Sequence, residues 1–100
     1  MNYKYGAIPT EQIQAQKRYL YGSIIDLLYR QEANYPLLDA RIQSLINQIN
    51  GLNSLFGYPP QIITIISCLE DARIHKEQFR KNILDAANLI DMIPEVNADV

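Results

Sequence analysis

The chain has 100 residues, of which 48% are hydrophobic and 20% are charged. This length and composition predict one folded domain and exclude a disordered chain. Nine lysines and arginines against eleven aspartates and glutamates give a net charge of −2, which argues against general binding to DNA or RNA. Because Cys68 and His75 are the only residues of their types, an intrachain disulfide and a cysteine–histidine zinc site are excluded. We expect no metal and no cofactor.

The sequence contains no segment typical of a membrane protein. Gly6 and Pro9 stand where a signal peptide would have its apolar core, and no apolar run approaches the roughly 20 residues that span a bilayer. We therefore expect a cytoplasmic protein without membrane contact, in one helical domain that covers residues 1–100.

Residues 1–9 form an N-terminal arm that precedes the first predicted helix. The arm contains Tyr3, Lys4 and Tyr5 ahead of Pro9. Chain termini usually fray unless something holds them, so these side chains indicate either packing against the domain or contact with a ligand. Tyr3 and Tyr5 are candidate ligand-binding residues, because aromatic rings can stack on a nucleotide base.

The first predicted helix covers residues 10–33, with Thr10 as its N-cap and Glu11 in its first turn. Its apolar residues recur at helical spacing and fall on one face, which predicts a core stripe. These residues are Ile13, Leu20, Ile24, Leu27 and Leu28.

Other residues of this helix lie outside the core stripe. Lys17 is at the edge of the stripe, four residues before Tyr21, whereas Ile25 and Tyr29 lie roughly opposite, together with Arg18. A single buried face does not account for them. We expect Tyr21 and Tyr29 to serve packing or assembly, and we regard Lys17 and Arg18 as candidate phosphate contacts.

A second helix is predicted over residues 36–50. It begins at Pro36, because the residue before a proline avoids the helical region and proline is favoured in a first helical turn. Gly51 is a suitable C-cap. The turn-rich connection over residues 51–60 contains Leu55, Phe56 and Tyr58, which we expect to pack against the core.

Residues 61–93 contain neither glycine nor proline, and their apolar residues alternate at spacings of three and four. The pattern is compatible with one helix of about 33 residues or with two helices that break at His75–Gln78 and complete a four-helix bundle. The β-branched run Ile62–Ile66 is also compatible with a strand, but no second comparable run exists to pair with it. We therefore predict a helix there.

The predicted fold is an all-α bundle of three to four helices. Three short helices do not comfortably bury the second face of the first helix, Ile63, Ile66 and the long C-terminal seam. Homo-oligomerisation is the simplest way to cover this surplus apolar surface, so we expect the chain to associate with itself.

The densest basic cluster lies in the C-terminal half, where Arg73, Lys76 and Arg80 share a helical face. They are able to clamp a phosphate, or to form ion pairs with neighbouring acids. Adjacent carboxylates such as Glu70 and Asp71 project about 100° apart and do not form a catalytic pair. Enzymatic activity is therefore not expected.

Two stretches of the chain resemble a known group of proteins. They are Tyr5, Pro9-Thr10 and Lys17-Arg18 in the N-terminal part and Leu69-Glu70-Asp71-Ala72 in the C-terminal part. The pattern resembles the small phage-encoded sponge proteins, the anti-CBASS and anti-Thoeris proteins that share a helical hairpin.

The resemblance implies a compact helical oligomer that sequesters a cyclic nucleotide immune signal in pockets between subunits, in the host cytoplasm. It implies that Tyr5 stacks on a base and that Lys17 or Arg18 meets a phosphate, with Arg73 as a further candidate. We therefore hypothesise a non-enzymatic sponge for a small anionic nucleotide. The alternative hypothesis is a helical protein-interaction module, such as an immunity factor or a small phage structural protein.

Overall fold

The computed structural model describes residues 10–94 and is all-α, as predicted. Its four α-helices are α1 (Thr10–Glu32), α2 (Leu38–Gly51), α3 (Gln61–Ile74) and α4 (Phe79–Asp91), and a short 3-10 helix (Lys76–Gln78) precedes α4. No strand occurs in the described part of the chain.

The four helices form a ring in chain order. Helix α1 packs against α2 and α4, and α3 packs against the same two helices. Because the connection between α3 and α4 is only four residues long and the two helices pack along each other, they are antiparallel. The self-association expected from the sequence stays a prediction.

Residues 61–93 form two helices, with the break at the predicted position. His75 leaves the helical conformation with φ −106° and ψ 83°, and the 3-10 turn that follows redirects the chain into α4. The reversal lays Phe79, Ile83 and Ile90 against the bundle, where all three are buried. One continuous helix would have held these side chains away from α1. The strand alternative for Ile62–Ile66 was wrong, because this run lies within α3.

The core consists of one apolar stripe from each helix. The apolar stripe of α1 is the predicted one, and all of its residues are buried. The other stripes contribute Ile42, Leu45, Ile46 and Ile49 of α2, Ile62, Ile65, Leu69 and Ala72 of α3, and Phe79, Ile83, Ala86, Ala87 and Ile90 of α4.

The helix ends differ slightly from the predicted ones. Helix α1 ends where Asn34 adopts φ 55°, and the N–H of Tyr35 donates to the carbonyl of Arg30. This arrangement is a Schellman-type cap, in which asparagine tolerates the left-handed conformation. Residues 35–37 form a turn, so α2 begins at Leu38 and not at Pro36.

The connection between α2 and α3 packs on the core in part. Phe56 is buried and Leu55 packs against the core, as predicted. Tyr58 is 70% exposed, so its predicted packing was wrong. Gly57 and Tyr58 both have positive φ angles, 81° and 55°, and this tight turn directs the tyrosine ring away from the bundle.

Within residues 10–94, no helix combines the length and the apolar content required to cross a membrane.

Two isoleucines of α3 provide a test of this packing. Ile65 is fully buried, whereas Ile63 is 76% exposed. We expect Ile65→Ala to lower the free energy of unfolding by about 2–5 kcal/mol, because it leaves a cavity in the core. Ile63→Ala is the matched control and should change it by less than about 0.5 kcal/mol. Urea denaturation followed by circular dichroism measures both, and equal effects would contradict the assigned faces of α3.

Candidate ligand-binding site

A cleft of about 520 Å³ lies between the first half of α1 and the C-terminal end of α4. Its volume is within the range of about 300–1,000 Å³ typical of ligand sites. The described residues that line it are Gln14, Lys17, Arg18, Tyr21, Gly22 and Asp91.

Helical spacing explains why the α1 residues of the cleft lie together. Positions three and four apart share a face of a helix, and the lining residues between Gln14 and Gly22 follow this spacing. Lys17, in the first half of α1, contacts the end of α4, so the two helices run antiparallel. The last turn of α4 therefore brings Asp91 to the same cleft.

Lys17 joins the two helices at the base of the cleft. Its side chain is only 6% exposed, and Nζ donates hydrogen bonds to the backbone carbonyls of Asp91, at 3.0 Å, and Ile93, at 2.5 Å. The last carbonyls of a helix have no partner within the helix and carry partial negative charge. The ammonium group satisfies carbonyls at this end and offsets the negative end of the α4 dipole.

Arg18 is the cation of the cleft that faces solvent. It is exposed, and it forms no hydrogen bond or ion pair with the part of the chain that the structure describes. Tyr21 lies three residues further along α1 and is 39% exposed. The site thus presents a guanidinium and an aromatic ring side by side, with the exposed carboxylate of Asp91 on the α4 side.

The structure brings together some of the residues that the sequence indicated. Lys17 and Arg18 both line the cleft. Arg73 does not, because it lies at the other end of the bundle, where its Nη1 donates to Oε1 of Gln43 at 2.6 Å and ties α3 to α2. Tyr3 and Tyr5 lie outside the described residues, so their predicted ligand contacts stay predictions.

A smaller groove of about 360 Å³ lies at the opposite end of α1 and is lined in part by Tyr35, Asp39 and Lys76. Its charged and aromatic groups already have partners. The guanidinium of Arg30 lies 4.8 Å from the centre of the Tyr35 ring, and Nζ of Lys76 lies 4.0 Å from Oδ1 of Asp39. This groove is therefore less suited to a charged ligand than the cleft.

The pKa values of Tyr19 and Cys68 are shifted for structural reasons. Hydrogen bonding from Gln48, and to a lesser extent from Ser23, lowers the pKa of Tyr19, which joins α1 to α2. Burial raises the pKa of the Cys68 thiol, with smaller contributions from Asp85 and Asp71. A raised pKa keeps the thiol protonated and unreactive at neutral pH. No group of acids, histidines and cysteines among residues 10–94 is suited to holding a metal ion.

No protein-family model, curated protein or solved structure matches this chain. The resemblance to phage sponges therefore stays a prediction, and the geometry of the cleft is the basis for any functional proposal. The sequence assigned Tyr21 to packing or assembly and did not place Tyr21, Gln14 or Asp91 in a cleft. The four-residue spacing of Lys17 and Tyr21 was a signal in the sequence that Tyr21 lies on the same side of α1 as Lys17. Nothing local in the sequence places Asp91 beside α1.

Replacement of Lys17 tests its structural role. We expect Lys17→Met to lower the free energy of unfolding by about 1.5–3 kcal/mol, because it removes charge-assisted hydrogen bonds to carbonyls at the end of α4. Arg18→Met is the control, since the neighbouring side chain is exposed, and it should change stability by less than about 0.5 kcal/mol. Thermal and urea unfolding measure both variants. Equal stability of the two would show that Lys17 does not join the helices.

Proposed function

We propose that this chain is a non-enzymatic binding protein that sequesters a small anionic nucleotide, such as a cyclic nucleotide immune signal, in the cleft between α1 and α4. The observation that supports the proposal is the adjacency of Arg18 and Tyr21 on the wall of a cleft large enough for such a ligand.

The two side chains supply the two interactions that a nucleotide requires. A guanidinium binds phosphate oxygens through two parallel N–H donors. A tyrosine ring offers a face on which a base can stack, for about 1–3 kcal/mol per base. Arg18 and Tyr21 are three residues apart on a helix, so their Cβ atoms lie about 5–6 Å from each other, which is close enough to engage one ligand.

The other polar groups of the cleft suit the edge of a base. The Gln14 side chain has both donor and acceptor atoms, and the carboxylate of Asp91 accepts from an exocyclic amino group. Because the charge of Lys17 is directed to the carbonyls at the end of α4, we assign the phosphate contact to Arg18 and not to Lys17.

We propose binding without chemistry because the described residues of the cleft include no pair of groups suited to catalysis. Asp91 is the single acid among the described lining residues, and none of these residues is a cysteine, serine or histidine. A protein of this kind acts by lowering the free concentration of its ligand. That action fits a phage or bacterial sponge in the host cytoplasm.

A second candidate function is docking of another protein. Ile63 and Ile74 are 76% and 70% exposed, and their spacing of eleven residues places them on one face of α3. Ser67 and Glu70 lie between them on that face and interrupt its apolar surface. The cleft therefore supports ligand binding better than this face supports docking.

Calorimetric titration with a panel of cyclic dinucleotides, cyclic trinucleotides and cyclic ADP-ribose isomers tests the proposal. We expect one class to bind, and we expect Arg18→Ala and Tyr21→Ala each to weaken binding by about fivefold or more, since each removes about 1–3 kcal/mol. Arg80→Ala is the matched control, because Arg80 is exposed at the start of α4, away from the cleft.

The outcomes separate the function from the site. No binding by any ligand of the panel would contradict the proposed function. Binding that survives both cleft substitutions would show that the nucleotide site lies elsewhere on the chain.

A further inference from the structure

Five residues of α1 form a stripe away from its core face, and only the central one, Ile25, packs in part against the core. They are spaced four, three, four and three residues apart, which is the spacing of a coiled-coil seam. At 100° per residue they fall within about 80° of the helix circumference. Ile25 is half-buried and the other four are exposed. The residues of this α1 stripe are Arg18, Gly22, Ile25, Tyr29 and Glu32.

Gly22 is an unexpected residue at this position. Glycine in the interior of a helix costs about 1 kcal/mol relative to alanine. The backbone conformation does not require it here, because Gly22 lies within a regular helix and has no positive φ angle. A Cβ atom built on Gly22 would have no neighbour within 4 Å. Packing among residues 10–94 therefore does not explain the glycine, whereas close approach by another molecule would.

We infer that the α1 stripe is the contact surface between two copies of this chain, with their α1 helices antiparallel about a two-fold axis at Ile25. In a two-fold interface, if one residue of the first copy contacts a second residue of the other copy, the same pair forms with the copies exchanged. The charges of the stripe match this symmetry. Arg18 and Glu32 are each seven residues from Ile25, so Arg18 lies level with Glu32 of the second copy.

The remaining two residues of the stripe also complement each other. Gly22 lies three residues before Ile25, and Tyr29 lies four residues after it. The axis therefore places Tyr29 of the second copy about one residue, or about 1.5 Å along the helix, from the level of Gly22. Tyr29 is 67% exposed, and its ring fits the space above the glycine as a knob fits a hole.

Charge identifies a second copy in this orientation as the occupant. A positive residue at one end of the stripe and a negative one at the other attract an identical stripe only when the two run antiparallel. Parallel copies would place Arg18 opposite Arg18 and Glu32 opposite Glu32, which is repulsive. One interface forms two equivalent ion pairs.

The interface and the cleft share Arg18 and Gly22. A guanidinium has five N–H donors, so one edge can pair with Glu32 of the second copy while another meets a phosphate. The inference rests on the geometry and charge of α1 and does not depend on the proposed function. If both hold, Tyr29 of the second copy lies at the rim of the cleft.

Charge reversal is the decisive experiment, with mass measured by sedimentation equilibrium over a range of protein concentrations. We expect the native chain to form a dimer, and we expect Arg18→Glu and Glu32→Arg each to raise the dissociation constant by about tenfold or more. The variant with both substitutions should dimerise again, because the ion pairs are restored with reversed polarity. Glu70→Arg, an equal change of charge at an exposed site on α3, should leave the dimer intact.

Substitution of Gly22 separates assembly from folding. Gly22→Gln should raise the melting temperature of the monomer, because it replaces glycine with a better helix former in open space. It should also weaken the dimer, because the new side chain occupies the position of Tyr29 of the second copy.

A native chain that stays monomeric at hundreds of micromolar would overturn the inference. So would a dimer that withstands Gly22→Gln or is not restored by the double reversal. Titration of the nucleotide panel into Glu32→Arg keeps the two proposals apart, since Glu32 does not line the cleft. If the Glu32→Arg variant is monomeric and binds a nucleotide, and the double reversal does not restore the dimer, the dimer inference is overturned and the proposed function is not.

Discussion

The contact between the Lys17 ammonium and the carbonyls of Asp91 and Ile93 closes the ring of helices. Each of the other neighbouring helix pairs is joined by a short connection in the chain, whereas α1 and α4 are held by packing and by contacts such as this one. Burying an ammonium is costly unless hydrogen bonds replace its water. The carbonyls at the end of α4 provide that replacement. The ammonium group and the carbonyls thus satisfy each other's hydrogen bonding, and burying either one without the other would be costly.

The electrostatic character of the cleft follows from that contact. A helix end with unpaired carbonyls repels anions, and it would do so here directly beside Arg18. Lys17 offsets this partial charge, and Arg18 then acts at the cleft surface with its charge available to a ligand. Two consecutive basic residues thus have different roles, one in holding the helices and one in facing solvent.

The sequence predicted the elements of the fold well and the arrangement of the site only in part. Spacing placed Leu20, Ile24 and Leu27 in the core, because helical periodicity determines a buried face. It also indicated His75–Gln78 as the place of a possible break, but it left open whether residues 61–93 form one helix or two. It could not separate Lys17 from Arg18, because the difference depends on a helix end more than 70 residues away. The sequence did not predict that Tyr58 is exposed, because the positive φ angles of its turn reverse the direction of the side chain.

The separation in sequence between Lys17 and the end of α4 has a consequence for folding. Hairpin contacts between α3 and α4 close short loops, whereas the contacts of Lys17 with Asp91 and Ile93 span 74 and 76 residues and require a larger loss of chain entropy. The α1 residues and the α4 residue that line the cleft therefore come together only when the whole bundle has formed. A molecule that occupies the cleft would bind the complete native state and no partly folded one. Its binding free energy would then add to the global stability of the protein and suppress opening of the first and last helices together.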